Sequence, residues 1–460
     1  MYPLSTRYEQ NDPDFGQLCD LIMAEMRRLH VPGVAVGLHY DGREHLAGFG
    51  VTSVENPLPV TADTLFQIGS TTKTVTGTII MRLVESGLID LDKPVRAYLP
   101  ELRLSDKTAE ESVTTRHLLT HMAGWAGDFF RETGNGDDCL ARYVAELDTL
   151  PQLVPVGTLW AYNNSGFSLA GRLIEVVTGK AYEDVVQEMI LDPLGMTNSY
   201  FFAADVISRS FVVGHRNDAE QGVVVERPWA IARSAHSAGG LCSSARDQLR
   251  YARFHMGDGT ANGERVLSAG TMAEMQRPHF QANLGRQMGL SWLLKDYGET
   301  RAVMHGGATN GQLSAFLMIP SRDFAITILT NADEGVILHD TVVSWALNHY
   351  LGLKDAEITH IDLPAGKLSE YVGTYDAQLA GLELSMQDDQ LIVHMTPHGG
   401  FPDVSSPPGP PPPPTRLGFF GPDLAITLDE PLINIKIEFL RGDAGRVEWL
   451  RTSRLHRKIA

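Results

Sequence analysis

The stretch from Leu65 to Glu85 constrains this chain more than any other. Phe66 and Ile68 lead into Gly69-Ser70, after which Val75, Ile79, Ile80, Leu83 and Val84 recur at helical spacing. Ser70 is therefore expected at the N-terminal end of a largely buried helix, with Lys73 one turn further on along the same face. The free N–H groups of a helix start favour developing negative charge, and an amine three residues on can take a hydroxyl proton once burial lowers its pKa. Taken singly, the pair fits a helix N-cap serine and a solvated lysine equally well, because Ser-x-x-Lys is a short pattern.

At 460 residues the chain has room for two or three domains, and 43% hydrophobic with 20% charged residues is ordinary globular composition. A formal net charge of −18 argues against a nucleic-acid or anionic-membrane partner, and no window reads as a membrane span. The start, Met1 to Glu9, lacks the apolar core of a secretory signal. Cys19, Cys139 and Cys242 lie far apart with no C-x-x-C, as free thiols in a reducing compartment would, so a cytoplasmic protein is expected.

Asp14 to His30 reads as an amphipathic helix, and Gly33 to Tyr40 with Glu44 to Val51 as a hairpin around Asp41-Gly42. Helices are expected at Cys139–Leu150, Ser165–Thr178, Tyr182–Ile190 and Val336–Leu351, and strands at Gly289–Leu294, Leu313–Ile319 and Phe324–Thr330. Strands at both ends of a mostly helical middle give an α+β pattern, an antiparallel sheet flanked by helices plus an all-helical lobe. Residues 1–353 form this first domain and 354–367 a polar linker; 368–460, with short strands from Gly373 to Leu450, form a small all-β domain of barrel or meander type. Inside it the run Pro410 to Pro414 reads as an exposed polyproline loop or a ligand for a proline-binding module. His117 and His121 have helical i, i+4 spacing, but Leu118 stands where a zinc hydrolase needs Glu, so packing is expected and no metal or other cofactor.

Two further stretches bear on Ser70. In Tyr162-Asn163-Asn164, a tyrosine flanked by cations can serve as general acid or base, and Asn164 offers an amide donor and acceptor for Lys73 or a substrate carbonyl. In His305-Gly306-Gly307-Ala308, two glycines let a substrate approach the backbone closely; alone the segment reads as a glycine turn.

In this order and at these separations, Ser-x-x-Lys, Tyr-x-Asn and His-Gly-Gly resemble the active-site elements of the class C β-lactamase and penicillin-binding-protein-like serine hydrolases, over roughly Asp14 to Leu351. The resemblance implies the β-lactamase/transpeptidase-like fold, with Ser70 as the acylated nucleophile. It implies Lys73 and Tyr162 as the proton relay, Asn164 as a positioning residue, and His305, Gly306 and Gly307 lining the cleft. The oxyanion hole would be the backbone N–H groups of Ser70 and Ala308. His305 stands where β-lactamases carry lysine. That loss of a fixed cation turns the preference toward an esterase or a D-specific or small-peptide amidase, ahead of a β-lactamase. A penicillin-binding sensor that acylates without turnover, and an acyltransferase or peptide cyclase, are the other readings. The tail from Leu368 resembles the lipocalin-like domain appended to some of these hydrolases, which limits access to the cleft or supports homo-oligomers.

Overall fold

The computed structural model describes residues 12–283 and 285–459; the segment Met1 to Glu9, read above for a signal, lies outside them. The described residues open with α1 (Pro13–Arg28), whose N-cap Asp12 accepts from the N–H groups of Asp14 and Phe15, with Pro13 in the first turn. The main sheet is antiparallel. Its strands are β1 (Gly33–Tyr40), β2 (Arg43–Gly50), β3 (Phe280–Gln281), β4 (Gln287–Met288), β5 (Leu293–Tyr297), β6 (Thr300–Thr309), β7 (Gln312–Ile319) and β8 (Phe324–Thr330). They lie in the order β3-β4-β5-β6-β7-β8-β1-β2, so both ends of the domain meet in one sheet, with Val36 opposite Ile328.

Alternation along β1 sorts the two cores. Val34, Val36 and Leu38 face one side, where Phe15, Leu18 and Ile22 of α1 and Leu338, Val342 and Leu347 of α5 (Gly335–Leu351) cover them. Ala35 and Gly37 face the other side, where Leu249 of α4 (Ala245–Met256) packs; a Cβ on Gly37 would stand 2.8 Å from its Cγ. The second core continues into the helical lobe around α2 (Thr72–Glu85) and α3 (Asn164–Thr178). The fold is thus α+β, an antiparallel sheet flanked by helices plus a helical lobe, as expected.

Beyond α5, eight strands close a barrel: β9 (Gly373–Asp376), β10 (Ala380–Gln387), β11 (Gln390–Pro397), β12 (Thr415–Gly421), β13 (Leu424–Thr427), β14 (Lys436–Arg441), β15 (Val447–Arg451) and β16 (Leu455–Lys458). Closure comes from Tyr375 of β9 pairing with Lys458 of β16. Tyr371, Leu384, Val393, Phe419 and Phe439 fill the interior.

Several elements depart from the sequence reading. Periodicity missed α4, whose buried face includes the polar Asp247, Gln248 and His255. It also missed β12, which follows the prolines and contains Gly418, and β16, which is mostly polar. His305-Gly306-Gly307 is no turn; it lies within β6, with His305 opposite Phe316 and Gly306 opposite Ala315. The helix at His117 is only Thr115–Leu119, and His121 sits beyond it at φ 58°, so the two imidazoles do not share a helical face.

Candidate active site

A tight turn into α2 carries Ser70. Gly69, at φ +51°, makes the turn; Ser314 Oγ donates to Ile68 O at 2.8 Å, and Thr72 Oγ1 donates to Gly69 O at 2.7 Å. Lys73 is fully buried, its Nζ 2.9 Å from Ser70 Oγ and 2.6 Å from Ala238 O. Burial holds the ammonium well below its ordinary range; the Arg454 cation pushes the same way, and Asp128 opposes. A neutral amine donating one N–H to Ala238 keeps its lone pair for the Ser70 hydroxyl proton.

The Tyr162 loop is pinned from both sides. Asn163 caps α3, its side chain accepting from Gly166 N at 2.7 Å, while Asn163 N donates to His121 Nδ1 at 3.0 Å. The phenol faces Ser70, and its ring lies under Lys73 Nζ, 5.1 Å from the centroid, and against His121 at 4.2 Å between rings. Burial raises the phenol above its ordinary range; Ser70 and Arg454 pull it back without reversing the sign, so Tyr162 is a neutral proton donor. Asn164 Nδ2 donates to Asp128 Oδ1 at 2.6 Å, a partner different from the Lys73 contact expected of it.

The third wall is β6. A Cβ on Gly307 would fall 2.0 Å from Ile68 O and 2.7 Å from Ser70 N, and one on Gly69 would fall 2.6 Å from Ala308 N. Only glycine at both positions lets the backbone at Ser70 and Ala308 approach this closely, where two N–H groups can serve one oxyanion. His305 Nδ1 donates to Gly306 O at 2.6 Å, and Nε2 is buried with no hydrogen-bond partner among the described residues. Burial, with Lys73 nearby, lowers its pKa to about 3, so it is a neutral acceptor at physiological pH.

Ser70, Lys73, Tyr162 and His305 therefore come together, while Asn164 is held by Asp128. His117 instead closes a capping box at Thr114, its Nδ1 accepting from Thr114 N at 3.2 Å. Among the described residues, no group of three His, Cys, Asp or Glu side chains converges as a metal site, and no helix is long and apolar enough to cross a membrane. Sequence reasoning missed Asp128, which no motif marks. It also missed the barrel residues Ser453 and Arg454: Tyr162 N donates to Ser453 O at 2.8 Å, and Arg454 Nε and Nη2 donate to the Asp128 carboxylate at 2.9 and 3.0 Å.

The sequence model of the family described as Beta-lactamase matches residues 18–341, and the chain belongs to that family. It is a serine hydrolase of the β-lactamase and penicillin-binding-protein type. Penicillin-binding protein 4 of Amycolatopsis lactamdurans is 32% identical over 336 residues, spanning 72% of this chain and 88% of that protein. A β-lactamase of Yersinia enterocolitica is 25% identical over 333 residues, spanning 65% and 82%. The crystal structure of SurE with D-Leu superposes with a TM-score of 0.75 at 23% identity, over 97% of this chain and 100% of that one, barrel included.

Proposed function

We propose that this hydrolase cleaves carboxylic esters or amides through an acyl-enzyme on Ser70, acting on uncharged esters or on D-residue and small-peptide amides. The observation that carries the reading is the fully buried Lys73 amine 2.9 Å from Ser70 Oγ, where burial holds it well below its ordinary pKa. Lys73 takes the hydroxyl proton as Oγ attacks the carbonyl carbon. The oxyanion accepts from the N–H groups of Ser70 and Ala308; one such donor is worth about 3–4 kcal/mol of barrier. Tyr162 then protonates the departing alcohol or amine, recovering its proton from Lys73 through the Ser70–Tyr162–Lys73 cluster. Water repeats the sequence on the ester and releases the acid and free Ser70.

The neutral His305 supports uncharged substrates, since it offers an acceptor where a fixed cation would hold a carboxylate. The relatives named for penicillin binding and β-lactam hydrolysis favour a second reading, β-lactam turnover by the same acyl-enzyme. D-Leu, bound by the structural neighbour SurE, places D-residue amides on the panel of substrates. Intact-mass spectrometry during turnover of p-nitrophenyl butyrate, nitrocefin and a D-alanyl amide, with wild type and Ser70→Ala, tests both. A transient acyl adduct lost in the variant, with the ester or amide turned over faster than nitrocefin, is expected. Faster nitrocefin turnover would transfer the assignment to the second reading, and full activity in Ser70→Ala would overturn both.

A further inference from the structure

The C-terminal barrel does more than sit beside the catalytic domain: its last hairpin enters the wall of the cleft. Between β15 and β16, Ser453 O accepts from Tyr162 N, Thr452 O accepts from Asn283 Nδ2 at 3.1 Å, and Leu455 packs against Ala161 and Val154. Arg451, itself buried and held by Glu438, points Nη1 at Trp160 O at 3.4 Å. Arg454 reaches furthest. It chelates both oxygens of Asp128, whose side chain is only 4% exposed, and its guanidinium carbon lies 4.8 Å from the Tyr162 ring centroid. Asp128 in turn accepts from Asn164 and takes Gln378 Oε1 of the barrel on its own N–H at 2.7 Å.

We propose that Arg454 is a positioning residue of the active site, fixing Asn164 and the Tyr162 loop through Asp128 and setting a permanent positive charge beside Tyr162 and Lys73. Asp128 is a buried carboxylate, and among the described residues the cation hydrogen-bonded to it is Arg454, which comes from the barrel. The bidentate fork fixes the Asp128 plane, and with it the Asn164 amide two residues from the phenol. The charge acts in the same place. The groups facing Lys73 are Ser70, Tyr162 and Asp128, together with His121, His305 and Arg454; His456 faces Arg454 from the barrel side. Both histidines beside Lys73 are held neutral by burial, which leaves Arg454 as the standing cation that disfavours a second one on Lys73.

This inference rests on the roles proposed for Lys73 and Tyr162, and full-length protein separates the two. The measurement is kcat and KM for p-nitrophenyl butyrate from pH 5 to 10 in wild type, Arg454→Gln, Arg454→Lys and Arg454→Gln/Asp128→Asn, with thermal melts of each. Activity needs the free amine, so the acid limb of kcat/KM follows Lys73. Arg454→Gln removes a cation and leaves the Asp128 anion unpaired, and both changes favour protonated Lys73. The acid limb is expected to move up by about one pH unit, with kcat down about 10- to 100-fold and KM little changed. Arg454→Lys keeps the charge and is expected to keep the limb while losing part of kcat. The double variant removes both charges and is expected to return the limb toward wild type. An unmoved limb in Arg454→Gln overturns the inference, even where kcat falls, because packing alone would give that. Should Arg454→Gln not fold, Arg454→Lys decides by its kcat: a wild-type value overturns the positioning role, and a reduced one with the limb in place supports it. Full activity in Ser70→Ala would instead overturn the underlying assignment of the site.

Discussion

The turn that carries Ser70 and Lys73 and the wall that carries Tyr162 are built in different ways. The turn is largely local: within a few residues Gly69, Thr72 and the start of α2 set the nucleophile against its amine, with support from Ser314, Leu241, β6 and the Ala238 carbonyl. The wall is assembled over distance. Asp128 and Arg454 are 326 positions apart, in different domains, and the loop they hold is clamped again by Ser453. The comparison teaches where each part is vulnerable. Changes at the turn act on the reacting atoms directly, whereas changes at the junction act through orientation and field, and so by smaller factors.

A large effect is expected where the turn meets β6. Gly307→Ala places a methyl group 2.0 Å from Ile68 O and 2.7 Å from Ser70 N, so the backbone must part. Loss of one oxyanion donor implies a kcat/KM lower by about 10²–10³-fold, measured on p-nitrophenyl butyrate with circular dichroism to verify the fold. An unchanged rate would remove Ala308 from the oxyanion hole.

Next comes Lys73→Met, expected to cost about 10²–10⁴-fold in kcat as the general base is lost. Stability moves in the opposite direction. The folded state holds Lys73 well below its ordinary pKa, so at neutral pH the unfolded chain binds a proton that the native chain does not. Native stability is therefore penalised below the unfolded value of about 10.4, increasingly as pH falls, and the penalty fades as pH rises to it. Lys73→Met, with its side chain in the same buried volume, should melt higher than wild type at pH 7 and lose that advantage by pH 10. A gap that does not narrow with pH would show that Lys73 is charged in the native state.

The same contrast explains what could be read from the chain alone. A nucleophile and base three residues apart on an apolar helix leave a pattern in one window, and so did α1, the β1–β2 hairpin and most of the barrel strands. His305-Gly306-Gly307 was legible only by likeness, since in isolation two glycines suggest a turn; here they serve the close approach of β6 to the Ser70 turn. Asp128 sits in a loop that accompanies no motif. Arg454, in a short hairpin flanked by Arg451 and Arg457, looks like any solvated basic residue. Its role exists only once barrel closure brings β15 and β16 against Trp160–Tyr162, and no local pattern encodes that closure.

Between turn and junction lies His305, where a smaller change in selectivity is expected. His305→Lys restores a fixed cation on β6 beside the substrate. The ratio of nitrocefin to p-nitrophenyl butyrate turnover should rise by about tenfold, the worth of roughly 1.4 kcal/mol of added attraction for a carboxylate at intermediate dielectric. A ratio that fell or stayed level would mean that the neutral imidazole does not set the preference.

The smallest effects belong to the outer edge of the junction, and they separate contact from proximity. The barrel loop before β12 meets the catalytic domain through Phe401, whose ring crosses Phe130 edge-on at 4.9 Å. Val404 N donates to Phe130 O at 2.8 Å, and Asp403 accepts from Glu132 N at 3.1 Å. These contacts brace the segment that begins at Asp128. The run Pro410 to Pro414, further along the same loop, is mostly exposed. Replacing the five prolines with a Gly-Ser sequence of equal length should leave kcat and KM for small and large esters within twofold. Phe401→Ala should cost about 0.5–1.5 kcal/mol of stability with a modest fall in kcat. Deleting a ring at Phe401 loosens the far end of the wall without touching Arg454, so its acid limb should stay at the wild-type pH. A limb that moved would mean that the field at Lys73 depends on the whole barrel seat, and a loss of activity on large esters alone in the Gly-Ser variant would give the proline run a place at the cleft.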